Sequence, residues 1–267
     1  MHLLSNNKLL DLTGKTAIVT GGAGGIGYGV VCRLAEAGAN VVIANRNIEE
    51  AYKTVTELAS KGFKVKAIKT DVSVETDVKN LVSETIKVYG SIDILVNNAG
   101  IYPFALLSQL TSELFDKVIA TNLKSVFLTT KYVSEQMIKQ DRGGKIINIT
   151  SVDALHPSIV GLSQYDASKH GVWGFTKNVA LELAQHKIWV NAIAPGGINT
   201  PGVRKMQPAP KPGEVVDNTK PIPGITIPMN RMGEPDDIGK VALFLASDMS
   251  SYMTGSQIVV DGGLLLT

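Results

Sequence analysis

Hydrophobic and polar positions along the 267-residue chain follow two alternating rhythms. Short runs rich in valine and isoleucine recur at Thr16–Thr20, Asn40–Ala44, Lys64–Lys69, Ile92–Asn97, Lys145–Thr150, Ile188–Ile193 and Gln257–Val260. They are continuous rather than strictly alternating, which is the pattern of strands covered on both faces. Between them, in segments such as Ile48–Ser60, Val78–Val88 and Glu113–Ile138, apolar residues return every three or four positions, the spacing of a helix. Repeated strand–helix–strand units predict an α/β fold: one doubly wound, seven-stranded parallel sheet with helices on both faces, three layers in all. The rhythm shows no break in composition and no repeat, so a single domain over residues 1–267 is expected.

One stretch departs from it. Thr200–Met229 carries prolines at 201, 208, 210, 212, 221, 223 and 228, too many for the interior of a helix or strand. Long loops inside compact domains are commonly functional lids, and a substrate lid that closes over the site and excludes water is expected here. Regular structure resumes at Glu234-Pro235-Asp236-Asp237, where a proline at the first helical position and acids in the first turn mark a helix start.

Composition narrows the function classes. The net charge is only +2 and no basic run is interleaved with aromatics, which argues against nucleic acid as a partner. No apolar stretch approaches the roughly 20 residues that span a bilayer. The N-terminus lacks the basic-then-apolar order of a secretory signal. The single cysteine, Cys32, excludes an intrachain disulfide and fits a reducing compartment. Its neighbours Val30, Val31 and Leu34 read as a packed helix face around an inert core thiol. A cytoplasmic protein is expected. The four histidines (2, 156, 170 and 186) have no metal-ligand spacing and there is no Cys-x-x-Cys, so no metal is expected.

Two segments carry candidate chemistry. Thr20-Gly21-Gly22-Ala23-Gly24-Gly25-Ile26-Gly27 follows the first strand and opens the helix-like Tyr28–Ala37. Glycines at 21, 25 and 27 let the backbone turn tightly and approach a ligand, and the helix offers free N–H groups to a pyrophosphate. Further on, Tyr165 and Lys169 stand one helical turn apart and share a face. A free phenol has a pKa of about 10 and is a poor base; a fixed ammonium beside it favours the phenolate and is expected to lower that value. Such a phenol can give a proton to a reduced carbonyl or take one from an alcohol.

Taken in order, Thr20–Gly27, Asn97-Asn98-Ala99-Gly100, Tyr165-x-x-x-Lys169, Pro195-Gly196 and Asp261-Gly262-Gly263 resemble the short-chain dehydrogenase/reductase family over nearly the whole chain. The resemblance implies a Rossmann-type domain, a homotetramer, and hydride exchange between NADP(H) or NAD(H) and a small-molecule secondary alcohol or ketone. It implies Gly21, Gly25, Ile26 and Gly27 around the pyrophosphate, with Asp71 and Val72 at the adenine. Asn98, Ala99 and Gly100 would follow the cofactor ribose, and Pro195, Ile198 and Thr200 would meet the nicotinamide. Tyr165 is then the acid/base, Lys169 both tunes it and holds the ribose, Ser151 hydrogen-bonds the substrate oxygen, and Asn122 helps hold a water linking Lys169 to solvent. NAD-specific relatives carry an acid after the second strand. Here Asn45 stands at that position and Arg46 follows, which favours NADP(H) and leaves NAD(H) open.

One departure bears on Ser151. It lies fourteen residues before Tyr165, one more than the family spacing, which an extra residue in the Val152–Gln164 loop accounts for; Ser158 and Ser163 are the alternatives. Expected substrate walls are Ile101–Leu107, Val152–Leu162 and the lid, with Tyr102, Phe104, Leu155, Val203 and Met206 as apolar candidates and Asp153 and His156 as polar ones. This mixture suits sugars, small ketones, cyclic alcohols and keto-acyl compounds alike. Two other readings stay open: a catalytically silent NAD(P)-binding regulator, and an epimerase or lyase that uses the dinucleotide transiently.

Overall fold

The computed structural model describes residues 5–206, 217, 219–222 and 225–267, the side chains of 205 and 206 aside. Seven strands form one sheet: β1 (Thr16–Thr20), β2 (Asn40–Asn45), β3 (Val65–Lys69), β4 (Ile94–Asn97), β5 (Gly144–Ile149), β6 (Ile188–Pro195) and β7 (Gln257–Val260). All neighbours are parallel, in the order β3-β2-β1-β4-β5-β6-β7. The helices are α1 (Asn6–Leu9), α2 (Gly25–Glu36), α3 (Ile48–Ser60), α4 (Glu75–Tyr89), α5 (Ser112–Ile119), α6 (Ser125–Gln140), α7 (Ser163–Leu183), α8 (Pro201–Met206) and α9 (Pro235–Ala246).

Two apolar layers sandwich the sheet, as its continuous Val/Ile strands require. Ala17, Val19, Val41 and Ile43 turn to one face and pack on Val30 and Leu34 of α2, Leu58 of α3 and Ile238 of α9. Ile18, Val42 and Ala44 turn to the other and meet Leu81 of α4, Met137 of α6 and Leu183 of α7. Adjacent strand residues serve opposite layers because side chains alternate across the pleat. Cys32 is half-buried against the first layer rather than enclosed by it, and burial pushes its thiol up. Among the described residues no helix is long and apolar enough to cross a membrane, and no cluster of three or more His, Cys, Asp or Glu is arranged to hold a metal ion.

Two expectations need correction. The periodic segment Glu113–Ile138 is not one helix: α5 and α6 are joined by a π-helical turn at Ala120–Lys124. The apolar stripe passes through the turn, so its spacing does not betray it. The proline-rich segment also begins with regular structure, because Pro201 occupies the first position of α8, where no N–H is needed. Of the remaining lid prolines, 208, 210, 212 and 223 lie outside the described residues.

Candidate active site

In doubly wound sheets, successive connections leave in opposite directions at one pair of neighbouring strands and open a crevice at their carboxyl ends. Here that pair is β1 and β4. The glycine loop follows β1 and runs left-handed at Gly21 (φ +65°) and Gly25 (φ +53°), a conformation that costs a glycine little. Asn98, after β4, pins the loop: its Nδ2 donates to the carbonyls of Thr20 (2.9 Å) and Gly21 (3.2 Å), while Thr20 Oγ1 accepts from the N–H groups of Asn98 and Ala99, each at 3.0 Å. Gly27 serves packing instead of lining the cleft, since a Cβ there would stand 2.3 Å from the Gly21 carbonyl oxygen. The N-cap of α2, Gly24, has no side chain to occupy the first-turn N–H groups, which leaves them free for an anion.

Beneath lies a closed polar network. Asn97 Nδ2 donates to Asn148 Oδ1 (2.9 Å) and Thr130 Oγ1 (3.2 Å), Thr129 Oγ1 donates to Asn97 Oδ1 (2.6 Å), and Asn148 Nδ2 donates to Thr176 Oγ1 (2.8 Å). These partners tie β4 and β5 to α6 and α7. A satisfied buried network fixes a unique arrangement, and so it sets the distance between the glycine loop and the residues of α7.

A cleft of about 370 Å³ joins the two ends of the site. Gly21, Gly25 and Ile26 line one end with Asn45; Asn98, Ala99 and Gly100 follow. Ser151, Tyr165 and Lys169 line the other end, and Pro195, Ile198 and Thr200 also line the cleft, Thr200 with its Cγ2 3.3 Å from where a side chain on Gly25 would begin. Tyr102 and Val203 contribute to the wall as expected, whereas Phe104, Leu155, Asp153 and His156 do not line it, and the side chain of Met206 lies outside the described residues.

Ser151 sits just past β5. Its Oγ donates to Asp153 Oδ2 at 2.9 Å and accepts from the Asp153 N–H at 3.2 Å. It lines the cleft wall. Ser158 is held by Asp166 (2.7 Å) and Ser163 by Gln164 (3.4 Å), and neither reaches the cleft wall. Lys169, 5% exposed, donates through Nζ to the Ile149 carbonyl at 2.8 Å. Burial pushes its pKa down to about 8. The Tyr165 ring centroid is 5.6 Å from that Nζ. Contrary to the sequence expectation, the phenol is held well above its ordinary value. Burial is the main cause and the Asp153 charge adds to it, while Ser151 opposes. The Tyr102 ring meets Tyr165 edge-on, centroids 5.9 Å apart.

Asn122 lies in the π turn and is 1% exposed. Its Oδ1 accepts from Ile101 N–H and its Nδ2 donates to Ile101 C=O, each at 2.8 Å, and to Ser168 Oγ at 3.0 Å. It is therefore a backbone clamp behind the wall, and the widened turn that carries it is a form frequent at functional sites. Asp71, Val72 and Arg46 also stand off the cleft wall. The Asp71 carboxylate accepts from the N–H and Oγ of Ser73 (3.0 and 2.6 Å), which holds its pKa down with help from the Arg46 charge. Exposed His156 has its Nδ1 2.8 Å from the Pro157 carbonyl.

Sequence reasoning missed Glu50. It lines the cleft, and its Oε1 is 3.6 Å from where a side chain on Gly24 would begin. The signal was present: Asn47 caps α3 and accepts from the Glu50 N–H at 3.3 Å. An N-cap asparagine followed three residues later by glutamate marks the first helical turn after β2, which is to say the carboxyl edge of the sheet.

A family model described as enoyl-(acyl carrier protein) reductase matches residues 21–265. The 3-oxoacyl-(acyl-carrier-protein) reductase FabG of Thermotoga maritima is 40% identical over 257 residues, 96% of this chain and all of its own length. The short chain dehydrogenase/reductase astE of Aspergillus oryzae is 38% identical over 266 residues, 99% of this chain and 100% of its own. The crystal structure of a short-chain type dehydrogenase/reductase from Mycobacterium marinum superposes with a TM-score of 0.91 at 36% identity, covering 98% of this chain and 100% of that one. The chain belongs to the short-chain dehydrogenase/reductase family of oxidoreductases.

Proposed function

We propose that the protein is an NAD(P)-dependent alcohol dehydrogenase/carbonyl reductase acting on a secondary alcohol or ketone, with Tyr165 as its acid/base. The observation that carries this reading is the convergence of Ser151, Tyr165 and Lys169 on the same cleft as the glycine loop. A dinucleotide fits the other end. Gly21 and Gly25 adopt the left-handed turns that bring bare backbone to a ligand, and α2 points uncapped N–H groups into the cleft. Gly21, Gly25 and Ile26 would hold the pyrophosphate, Asn98 and Ala99 the ribose, and Ile198 and Thr200 the nicotinamide side. When bound, the nicotinamide supplies or accepts the hydride.

The chain's own residues manage the proton and the substrate oxygen. A half-buried phenol held above its ordinary pKa is protonated at neutral pH, the form that donates to a carbonyl oxygen as it becomes an alkoxide. The phenolate left behind gains from the Lys169 cation beside it. Ser151 donates to the same oxygen and orients it. Asn122, by clamping Ile101, holds the segment that brings Gly100 and Tyr102 to the cleft. Thr200–Val203, the described start of the expected lid, line the cleft beside them.

Several relatives are named as reductases of 3-oxoacyl groups on acyl carrier protein. A β-ketoacyl thioester is therefore the second substrate reading, favoured by the exposed apolar side chains of Phe104, Ile159 and Val160. The test is a panel of alcohols, ketones and β-ketoacyl thioesters followed by nicotinamide absorbance at about 340 nm with both cofactors. Turnover without net absorbance change would replace this reading with the epimerase or lyase one. No turnover despite tight cofactor binding would favour the silent regulator.

A further inference from the structure

Ser151 has one proton to give, and in this structure it gives it to Asp153. The bond is reinforced from the other side, because the Asp153 N–H donates back to Ser151 Oγ. A substrate oxygen that needs Ser151 as a donor must therefore take that proton from the carboxylate. Asp153 would then be left half-buried without its side-chain donor, in surroundings that already push its carboxyl up through burial. Leaving a desolvated carboxylate unpaired is costly. A plain ketone or a β-ketoacyl thioester has no donor with which to repay it, since the atoms flanking its reacting carbon carry only acceptors or C–H groups.

We propose that Asp153 is a specificity-determining residue that selects substrates bearing a hydroxyl on the carbon next to the reacting one: vicinal diols in oxidation, α-hydroxyketones in reduction. Asp153 is not itself on the cleft wall but stands one hydrogen bond behind Ser151, which is, and the geometry closes as a four-oxygen ring. Ser151 Oγ and Asp153 Oδ2 are 2.9 Å apart, and gauche vicinal oxygens are separated by about the same distance as an O–H···O hydrogen bond, roughly 2.8 Å. Ser151 then donates to the reacting oxygen while the neighbouring hydroxyl donates to Asp153, so both protein groups stay satisfied. A neutral hydroxyl suits the position better than an ammonium, because Lys169 already places a cation within Coulombic range of Asp153. The assignment rests on the oxidoreductase reading above and narrows its substrate.

The experiment compares kcat/KM for 2-hydroxycyclohexanone and cyclohexanone, and for cis-cyclohexane-1,2-diol and cyclohexanol, in wild type, Asp153→Ala and Asp153→Asn. S-acetoacetyl cysteamine serves as the β-ketoacyl probe. Ratios are used because any loss common to both members of a pair cancels. The wild type is expected to favour the hydroxylated member by about tenfold or more, the scale of one charge-assisted hydrogen bond. In Asp153→Ala the ratio should fall to within about threefold of unity. Cofactor affinity by fluorescence titration reports whether each variant is folded; if the alanine variant is not, Asp153→Asn carries the test, and its ratio should drop at least about threefold with the loss of the charge. An unchanged ratio in the folded variants overturns the proposal. So does a wild type that turns over cyclohexanone or the thioester as readily as the hydroxyketone, an outcome that leaves the oxidoreductase reading standing. Turnover of none of these compounds with either NADP(H) or NAD(H) overturns both.

Discussion

The Nζ of Lys169 lies 5.6 Å from the ring centroid of Tyr165 and donates to the Ile149 carbonyl rather than to the phenol oxygen. The two side chains share a face of α7 with opposite pKa displacements, the amine down to about 8 and the phenol up. Burial drives both, since it disfavours whichever form carries charge. The pair is thus set with a protonated acid and a cation close enough to receive the charge that proton transfer leaves behind.

Removing the proton donor alone tests the first half of this arrangement. Tyr165→Phe keeps the ring and its edge-on contact with Tyr102. Turnover should fall by roughly 10²–10⁴-fold, the usual cost of losing general acid–base catalysis, with cofactor affinity largely retained. Steady-state rates beside a fluorescence titration separate the two effects. Near-wild-type turnover would remove Tyr165 from the mechanism.

The buried amine makes a prediction about stability. Between the folded pKa of about 8 and the unfolded value near 10.4, the unfolded chain binds more protons at this site than the folded one. Stability contributed by the site is therefore fully present above the unfolded value and is lost as pH falls through about 8. Lys169→Met removes the titration, and relative to wild type it should be more stable at pH 7 than at pH 9.5, by about 2 kcal/mol. Thermal melts of both proteins at the two pH values measure it. The same variant should bind cofactor more weakly. A pH-independent difference in Tm would mean that the amine is not buried as a cation.

The close approach of α2 and α9 is open to a test that does not involve the reaction. A Cβ on Gly239 would stand 2.5 Å from the Gly29 carbonyl oxygen, and one on Gly29 would stand 2.3 Å from that of Pro235. Arg33 locks the same crossing with a forked pair of bonds to Asp236 at 2.5 and 2.8 Å. Backbone cannot yield as a side-chain tip does, so Gly239→Ala should cost about 1–3 kcal/mol through overpacking, despite alanine's higher helix propensity. Urea denaturation decides the sign. A stabilised variant would show that the helices can slide apart freely.

How far the sequence discloses this molecule depends on which force sets each feature. The inner strands are legible because buried parallel strands must be apolar on both faces, and Val41–Ile43 or Ile146–Ile147 have no other use for such a run. The α2, α3 and α4 helices are legible from the same burial seen at a different period. The π turn at Asn122 is not, because its visible counterpart is the backbone of Ile101, 21 residues away. A contact between distant segments leaves no local pattern. Ser151, Tyr165 and Lys169 are legible through the spacing and strand-end positions that their chemistry demands. Asp153 is visible only as a polar residue in the loop after β5, and its capture of the Ser151 proton depends on a turn that the chain alone does not draw. Glu50 could be found from its helix cap, but nothing in an exposed glutamate of a first turn announces a cleft.

Glu50 also changes what is expected of the cofactor. Asn45, at the position where NAD-specific relatives carry an acid, lines the cleft and is tied to the Asn47 carbonyl at 2.8 Å, which leaves no carboxylate there to repel a 2′-phosphate. Arg46 follows and is exposed, free to swing onto that phosphate in a charge-assisted fork. Such a contact is worth about 1.5–3 kcal/mol when desolvated, or roughly 10- to 150-fold; at an exposed residue the low end applies. Glu50 acts against it, placing a carboxylate on the same end of the cleft beside Gly24. NADP(H) should therefore be preferred over NAD(H), about tenfold rather than a hundredfold. Arg46→Ala should erase most of the difference, whereas Glu50→Gln should widen it a few-fold. Both shifts should shrink at high ionic strength, since screening acts on exposed charges first. The measurement is kcat/KM with each cofactor on one substrate, wild type beside the two variants. A wild type that prefers NAD(H), or an Arg46→Ala ratio equal to that of wild type, would remove Arg46 from cofactor choice; a Glu50→Gln ratio that falls would assign the carboxylate to the ribose hydroxyls instead.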